Sequence, residues 1–222
     1  MRLLIAAFLL VTPLLAEDKP KAATPVEGAV DIQPVSNVGK DSDAEKLPNN
    51  NFKDLKAEPL KSGKVQFDIQ AKYIQLGSAK LPKMPEKIEG VKVGRKAALV
   101  HFLHATAHGN DADAKIAKYV IHYTDKTKVD VPVLYAKHVA DWWASSTDAE
   151  PSDALVGWSG SNEPAKANEK ELRLYHMWWK NPNPEKEIAT IDLETVDMKQ
   201  DCALICMAIT TQEKPSEPKK DK

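Results

Sequence analysis

The sequence has few cysteines, almost no excess charge of either sign and no second long hydrophobic run. Its two cysteines are too few for a disulfide-dense miniprotein or for a four-cysteine zinc site. The 31 basic and 32 acidic residues give a formal net charge of −1, which argues against binding to nucleic acid or to an anionic membrane surface through bulk charge. Beyond the N-terminus no apolar stretch is long enough to span a bilayer, so we do not expect the mature protein to be integral to a membrane.

The first residues have the layout of a secretory signal peptide. Arg2 precedes the apolar run 3–15, and Ala16 stands before the acidic residues 17–18. A basic start, a short apolar stretch and a small final residue are typical of that signal, whereas spanning a bilayer takes about 20 residues. We therefore expect residues 1–16 to be removed and the protein to be exported, to the periplasm or outside the cell. An uncleaved anchor is the alternative, and no cysteine follows the run to carry a lipid.

Composition divides the rest of the chain into three parts. Residues 17–62 contain one aromatic residue, Phe52, and five prolines, a composition typical of a linker or disordered arm. All five tryptophans lie within residues 63–211, where β-branched and aromatic residues concentrate. Residues 212–222 are charged and contain proline, so we expect them to form a disordered, solvated tail.

The middle part of the chain predicts short strands separated by turns. Residues 65–69 alternate apolar and polar side chains, as a half-buried strand does. Residues 115–123 and 128–135 flank the polar residues 124–127, a pattern typical of a hairpin. Pro132 has no N–H to donate, so its strand should lie at a sheet edge or carry a bulge. Roughly nine or ten such strands, without a strong amphipathic helix, predict an all-β antiparallel β-sandwich or jelly roll.

A series of short strings follows one another in a characteristic order. They are residues 30–32, 34–37, 49–51, 65–69, 100–105, 119–123, 131–135, 141–143, 172–175, 179–184 and 188–192. In this order and spacing they resemble a galactose-binding-domain-like module of secreted bacterial proteins. The resemblance implies a jelly-roll β-sandwich over residues 30–211, of the kind used by non-catalytic carbohydrate-binding modules. It thereby places residues 30–62 inside the domain and leaves residues 17–29 as a flexible arm.

The tryptophans are the strongest candidates for a ligand site. The apolar C–H face of a sugar lies on an indole ring while polar groups beside the ring bind its hydroxyls. Two tryptophan pairs are adjacent in sequence, and alternation along a strand turns one ring of each pair inwards and leaves the other near the surface. The alternative is that both pairs belong to core and hairpin packing. The predicted ligand-binding residues are Asp141, Trp142, Trp143, Arg173, Trp179 and Asn181.

Histidines and aspartates raise the question of a metal ion. His101 and His104 are three residues apart, so on a strand they point to opposite faces and cannot bind the same ion. We therefore predict no catalytic metal and no organic cofactor. Asp68, Asp192 and Asp201 are candidate ligands for a structural Ca²⁺, which would bind loop oxygens.

The cysteines, Cys202 and Cys206, are four residues apart. On one strand their α-carbons would be about 13 Å apart, well beyond the reach of a disulfide. We expect two buried thiols in a core strand. A bridge, within the chain if Cys202 lies in a turn or between two chains, is the alternative.

No catalytic motif stands out. Gly157, Ser159 and Ser161 lack the second glycine of a nucleophile elbow, and no pair of carboxylates is distinguished from the many solvated ones. We therefore predict a protein that is not an enzyme, namely an exported binding module whose partner is a carbohydrate. The alternative is a structural or protein-interaction module of the cell envelope, and a hydrolase ranks third.

Overall fold

The fold consists of antiparallel β-sheets, in a computed structural model that describes residues 25–213. The predicted signal peptide, most of the predicted arm and most of the predicted tail lie outside the described residues. Within the described range, strands dominate and helix is limited to one five-residue segment and two short 3-10 turns. The prediction of an all-β antiparallel fold is confirmed. No helix within residues 25–213 has the length and apolar character needed to cross a bilayer.

Within residues 25–213, fourteen strands make up these sheets. They are β1 (Ala29–Val30), β2 (Val38–Gly39), β3 (Pro59–Ser62), β4 (Val65–Asp68), β5 (Lys72–Gln75), β6 (Lys87–Lys96), β7 (Leu99–Ala107), β8 (Lys115–Tyr123), β9 (Lys128–Leu134), β10 (Trp143–Ala144), β11 (Leu155–Gly160), β12 (Glu171–Lys180), β13 (Glu187–Thr195) and β14 (Ala203–Gln212). The helix α1 is Glu163–Ala167, and the 3-10 turns are Gln33–Val35 and Ala44–Lys46.

The strands form one large sheet, one smaller sheet and a separate hairpin. The large sheet has the order β10-β12-β7-β14-β5-β2, with β11 paired to β12 and β1 paired to β14. The smaller sheet has the order β6-β13-β8-β9, and β3 and β4 form a two-stranded sheet. The predicted hairpin is confirmed as β8–β9, closed by residues 124–127. Pro132 lies on β9, the edge strand of the smaller sheet, as its missing N–H requires.

The two sheets pack against each other in a β-sandwich-like arrangement. The ring of Phe102 on β7 stacks on the ring of Tyr119 on β8, with centroids 3.8 Å apart. His104 on β7 also bonds through Nδ1 to the Tyr119 hydroxyl, at 2.9 Å. The hairpin β3–β4 covers the opposite face of the large sheet, where Phe67 is fully buried. β7 and β14 are apolar on both faces because both faces of these strands are covered.

Residues 30–62 belong to the folded domain, so the interpretation of this segment as a linker from its composition is wrong. Phe52 is 1% exposed, and its ring centroid lies 4.6 Å from that of Trp142. The side chain of Asn37 pairs with the backbone of Gln75 through two hydrogen bonds of 2.9 Å. The segment folds because its few apolar residues are buried deeply and its polar ones find partners. The family resemblance, unlike the composition, predicts that residues 30–62 lie inside the domain.

Both cysteines are buried and free of disulfide bonds, as expected for core thiols. Burial raises the pKa of Cys202 and that of Cys206 to about 12. Because the thiolate is the reactive form, these groups are inert in the folded protein.

Thiol labelling tests this assignment. In the native protein at pH 8, Ellman's reagent should react with Cys202 and Cys206 at least about a hundredfold more slowly than in guanidinium-unfolded protein, because access and ionisation are both suppressed. The unfolded sample is the control and should release two equivalents of chromophore. Rapid release from the native protein would contradict the buried placement, and no release after unfolding would mean that the thiols are bridged.

Candidate functional site

A cleft of about 400 Å³ lies where the large sheet meets the edge of the smaller one. β11 pairs with β12 only as far as His176, so the last residues of β12 extend beyond their neighbour and form one wall. Trp178 and Trp179 stand on this wall, opposite Pro132 of the edge strand β9. The cleft therefore exists because β12 is longer than β11 and because β9 ends its sheet.

The indole ring of Trp178 is the exposed surface of this cleft. Trp178 is 47% exposed, as is its neighbour Leu155 on β11. The ring of Trp178 meets that of His176 edge-on, with centroids 5.9 Å apart and an interplanar angle of 70°. Trp179 points to the other face of the strand and packs partly against the core. Both rings line the cleft because the cleft lies at the end of β12 that extends beyond its pairing with β11.

The polar groups of the cleft come from two loops. His138 lies between β9 and β10, and its Nδ1 lies 3.1 Å from the carbonyl oxygen of Pro132 and 3.2 Å from the amide nitrogen of Leu134. The other ring nitrogen of His138, Nε2, takes no part in these two contacts. Asp153, in the loop before β11, has its Oδ2 3.7 Å from the ammonium nitrogen of Lys137. Burial lowers the pKa of His138, so its imidazole is uncharged at neutral pH. The negative charge of Asp153 is balanced by the positive charge of Lys137.

Backbone hydrogen bonds join these two loops. The amide of Ser152 donates to the carbonyl of Ala136 at 3.2 Å, and that of Asp153 donates to the carbonyl of Lys137 at 2.7 Å. Ala136 itself has a φ of +58°, a left-handed conformation that costs a non-glycine residue about 1–2 kcal/mol. The two loops hold this turn in place, so the wall carrying His138 and Asp153 is formed before any ligand arrives.

The first predicted tryptophan pair lies away from the cleft. Trp142 is 4% exposed and packs on Phe52, which places it in the core. Trp143 is half-buried, and its Nε1 donates to Oδ1 of Asn50 at 3.2 Å. Asp141 accepts the backbone N–H of Trp143 at 3.1 Å, and burial raises the pKa of its carboxyl group to about 6.

Arg173 and Asn181 are occupied by contacts within the protein. The guanidinium group of Arg173 donates to Oε1 of Glu171 at 2.6 Å and to the carbonyl of Ser145 at 3.3 Å. Asn181 is 3% exposed. Its Oδ1 accepts from the hydroxyl of Tyr123 at 2.6 Å and its Nδ2 donates to the carbonyl of Ala97 at 2.8 Å. Both side chains therefore connect strands and loops.

Of the six predicted site residues, the structure places only Trp179 on the cleft. Sequence reasoning missed Trp178, His138 and Asp153. The adjacent residues Trp178 and Trp179 lie on the strand that forms a wall of the cleft, but alternation alone does not say which ring faces solvent. His138 and Asp153 carry no sequence signal, because their loops meet only through tertiary contacts.

The three candidate calcium ligands make separate contacts. Asp192 bonds with the His122 ring at 2.9 Å, Asp201 lies 3.3 Å from the ammonium of Lys80, and Asp68 accepts from the side-chain amide of Gln70. Among the described residues no group of three or more His, Cys, Asp or Glu side chains is arranged to hold a metal ion. The three carboxylates therefore do not converge on one point, and a structural Ca²⁺ stays a prediction.

Comparison with known proteins identifies no family: no family model matches the chain, and no curated protein is significantly similar to it. Its function has to be inferred from the cleft itself.

Proposed function

We propose that this protein is an exported, non-catalytic carbohydrate-binding module of the jelly-roll, galactose-binding-like type, and that its ligand binds on Trp178. The observation that carries the proposal is a 47% exposed indole in a cleft whose other walls supply His138 and Asp153. A sugar has an apolar face and a polar rim, and an aromatic platform with a few fixed polar groups matches both. The antiparallel sheets and the family resemblance support the jelly-roll assignment.

Each element of the cleft has a defined role in this proposal. The Trp178 ring carries the C–H face of the sugar, and Trp179 with Pro132 closes the sides of the cleft. The carboxylate of Asp153 accepts hydrogen bonds from sugar hydroxyls, and Nε2 of His138 makes one more. Because the loops that carry these groups are already joined, little ordering entropy is lost on binding.

The charges around the cleft favour an uncharged saccharide. The negative charge of Asp153 is offset by the positive charge of Lys137. The His138 ring is uncharged at neutral pH. A uronic acid or sulfated sugar would find no uncompensated cation among the residues lining the cleft. Binding should accordingly depend little on salt.

Replacing Trp178 by Ala tests the proposal. We expect affinity for neutral disaccharides to fall at least about tenfold, because the aromatic platform contributes more than 1 kcal/mol. Unfolding free energy should fall by less than about 1 kcal/mol, since the ring is half exposed. Calorimetry with lactose, maltose and cellobiose, with digalacturonic acid as the charged counterpart, measures the affinity.

The matched control is Trp143→Ala, which removes a half-buried indole outside the cleft and should leave affinity unchanged. A wild-type protein that binds none of these sugars nor any glycan on an array, or a Trp178→Ala variant that binds like the wild type, would overturn the proposal.

The second candidate function is an interaction module of the cell envelope. It is favoured by the adjacent exposed residues Leu155 and Trp178 and by the part of β12 beyond His176, which β11 leaves unpaired. Such an edge accepts an extended peptide as an added strand. Recovery of a protein partner that is lost in Trp178→Ala, together with an empty glycan array, would favour this function over sugar binding.

A further inference from the structure

The outer face of the large sheet contains a chain of four hydrogen-bonded side chains from four different strands. Ser62 on β3 lies 2.9 Å from Nδ1 of His176 on β12. Nε2 of His176 lies 3.0 Å from Nδ1 of His101 on β7, and Nε2 of His101 lies 3.3 Å from Oε1 of Gln212 on β14. Ser62, His176 and His101 are each at most 5% exposed.

The acceptor at one end determines the direction of the whole chain. Oε1 of Gln212 only accepts, so Nε2 of His101 donates to it and Nδ1 of His101 accepts from His176. Nδ1 of His176 then accepts from the Ser62 hydroxyl. Both imidazoles are neutral in this arrangement, and all four of their ring nitrogens have a hydrogen-bond partner.

His176 lies between the hairpin and the cleft. The ring of Phe67 on β4 meets the ring of His176 edge-on, with centroids 5.0 Å apart, and Ser62 on β3 bonds to the same ring. On the other side, the ring of Trp178 rests against it at 5.9 Å. The hairpin β3–β4 and the proposed sugar platform therefore contact the same imidazole, and a second hydrogen bond, from Oγ1 of Thr210 to the carbonyl of Gln66 at 2.9 Å, also joins the hairpin to the sheet.

We propose that His101 and His176 form a pH-sensitive latch: protonation releases hairpin β3–β4 from the sheet and loosens Trp178, so that the cleft releases its ligand at acid pH. The effect on the ligand rests on the proposed function, whereas the release of the hairpin does not. A proton added to Nδ1 of His176 makes the Ser62 hydroxyl turn round and accept, and it leaves a charged imidazole buried against Phe67. Water reaches that charge only when the hairpin moves away from the sheet, so protonation favours the released hairpin.

Among the described residues, no carboxylate acts on the pair to compensate the charge of that proton. On β7, His101 faces His176 directly and His104 acts from the opposite face of the sheet. Gln212 on β14 is neutral, and Lys61, the charged neighbour of Ser62 on β3, is exposed. No carboxylate of the described residues contributes to the pKa of either histidine.

Burial therefore lowers the pKa of His176 to about 4 and also lowers that of His101. The released state has ordinary histidines and takes up protons first as the pH falls below 6.5. Docking of the hairpin is thus strongest above pH 6.5 and weakens as the pH falls towards 4.

Hydrogen–deuterium exchange of the mature protein at pH 7 and pH 5, corrected for the intrinsic pH dependence of exchange, tests the latch. We expect residues 59–68 to lose roughly tenfold in protection, while residues 203–212 of the central strand lose much less. Protection that falls equally in both segments, or not at all in the hairpin, would overturn the latch.

Two variants separate titration from simple loss of a contact. In His176→Asn the pH dependence of hairpin exchange should fall to well below half of the wild-type ratio, because only His101 still titrates. In Ser62→Ala the hairpin should exchange faster at both pH values but keep the wild-type pH ratio, because both imidazoles remain. If His176→Asn does not fold, the wild-type and Ser62→Ala ratios still decide the result.

The effect on the ligand is measured with the neutral disaccharides lactose, maltose and cellobiose at both pH values. We expect binding roughly tenfold weaker at pH 5 in the wild type and a much smaller pH dependence in His176→Asn. Hairpin release without sugar binding at either pH would refute the proposed function and leave the latch in place. Sugar binding that is equal at both pH values, with a hairpin that stays docked, would refute the latch and leave the proposed function.

Discussion

Acidification from pH 7 to pH 5 should lower the free energy of unfolding by about 2 kcal/mol through His104 alone. His104 is fully buried, and burial lowers its pKa to about 3. Its Nε2 donates to the carbonyl of His138 at 2.9 Å, so its Nδ1 accepts from the hydroxyl of Tyr119. Both ring nitrogens are satisfied in the neutral form, and a proton on Nδ1 would turn an acceptor into a second donor.

As the pH falls, His104 binds a proton in the unfolded chain at a higher pH than in the folded chain. Stability is therefore complete above pH 6.5 and is lost as the pH falls from 6.5 towards 3. Asp141 acts in the opposite direction, because burial raises the pKa of its carboxyl group to about 6 and the folded protein gains stability as that group is protonated. The pH dependence of the unfolding free energy in the wild type is the sum of the contributions of these and other groups. A variant is therefore needed to isolate the contribution of His104.

The variant His104→Gln isolates the contribution of His104. The glutamine amide can still donate to the carbonyl of His138, but it does not titrate. Guanidinium unfolding at pH 7 and pH 5 should show a pH-dependent loss about 2 kcal/mol smaller than in the wild type. Tyr119→Phe is the matched control: it lacks the hydroxyl partner but keeps the imidazole. It should be about 1 kcal/mol less stable at both pH values and as pH-dependent as the wild type. A His104→Gln variant with wild-type pH dependence would contradict the argument.

Replacing Trp142 by Ala should cost about 3–5 kcal/mol of unfolding free energy, because it leaves a large cavity in a close-packed core. Trp142 is 4% exposed, its ring lies against Phe52, and its backbone N–H donates to the carbonyl of Thr106 at 2.9 Å. The same ring anchors the segment around Phe52 to the sheet. This variant should also increase exchange of residues 50–55, as that segment loses its main aromatic partner.

Guanidinium unfolding measures the loss, with Trp143→Ala as the control. Trp143 is half-buried and makes one side-chain hydrogen bond to Asn50, so its removal should cost about 1–2 kcal/mol. A Trp142→Ala variant as stable as the wild type but unable to bind sugar would show that Trp142 belongs to a ligand site and not to the core.

The strand pattern was predictable from sequence because its signal is local. The hairpin β8–β9 and the edge position of Pro132 follow from side-chain alternation, a polar turn and a missing N–H, all within about twenty residues. The opposite directions of His101 and His104 follow from the same alternation: one ring joins His176 on the outer face and the other joins Tyr119 between the sheets. Composition failed for residues 30–62, because a few buried anchors such as Phe52 are enough to fold a polar segment onto a sheet.

The site was less predictable, since the same residue types serve both packing and binding. Asn181 and Arg173 stand near tryptophans in sequence, but their polar groups are used to connect loops and strands. Trp142 and Trp178 are each the first tryptophan of an adjacent pair. The elements packed around each ring make Trp142 a core residue and leave Trp178 at the surface.

The sequence by itself determined the antiparallel all-β character of this protein, because periodicity and turn chemistry act between neighbouring residues. The tertiary structure decided where a ligand is able to bind. The cleft joins the end of β12, the edge of β9 and two loops, and its exposed Trp178 depends on β11 ending its pairing at His176. Residues so far apart along the chain come together only when the sheets pack, so no local sequence pattern predicts that they line the same cleft.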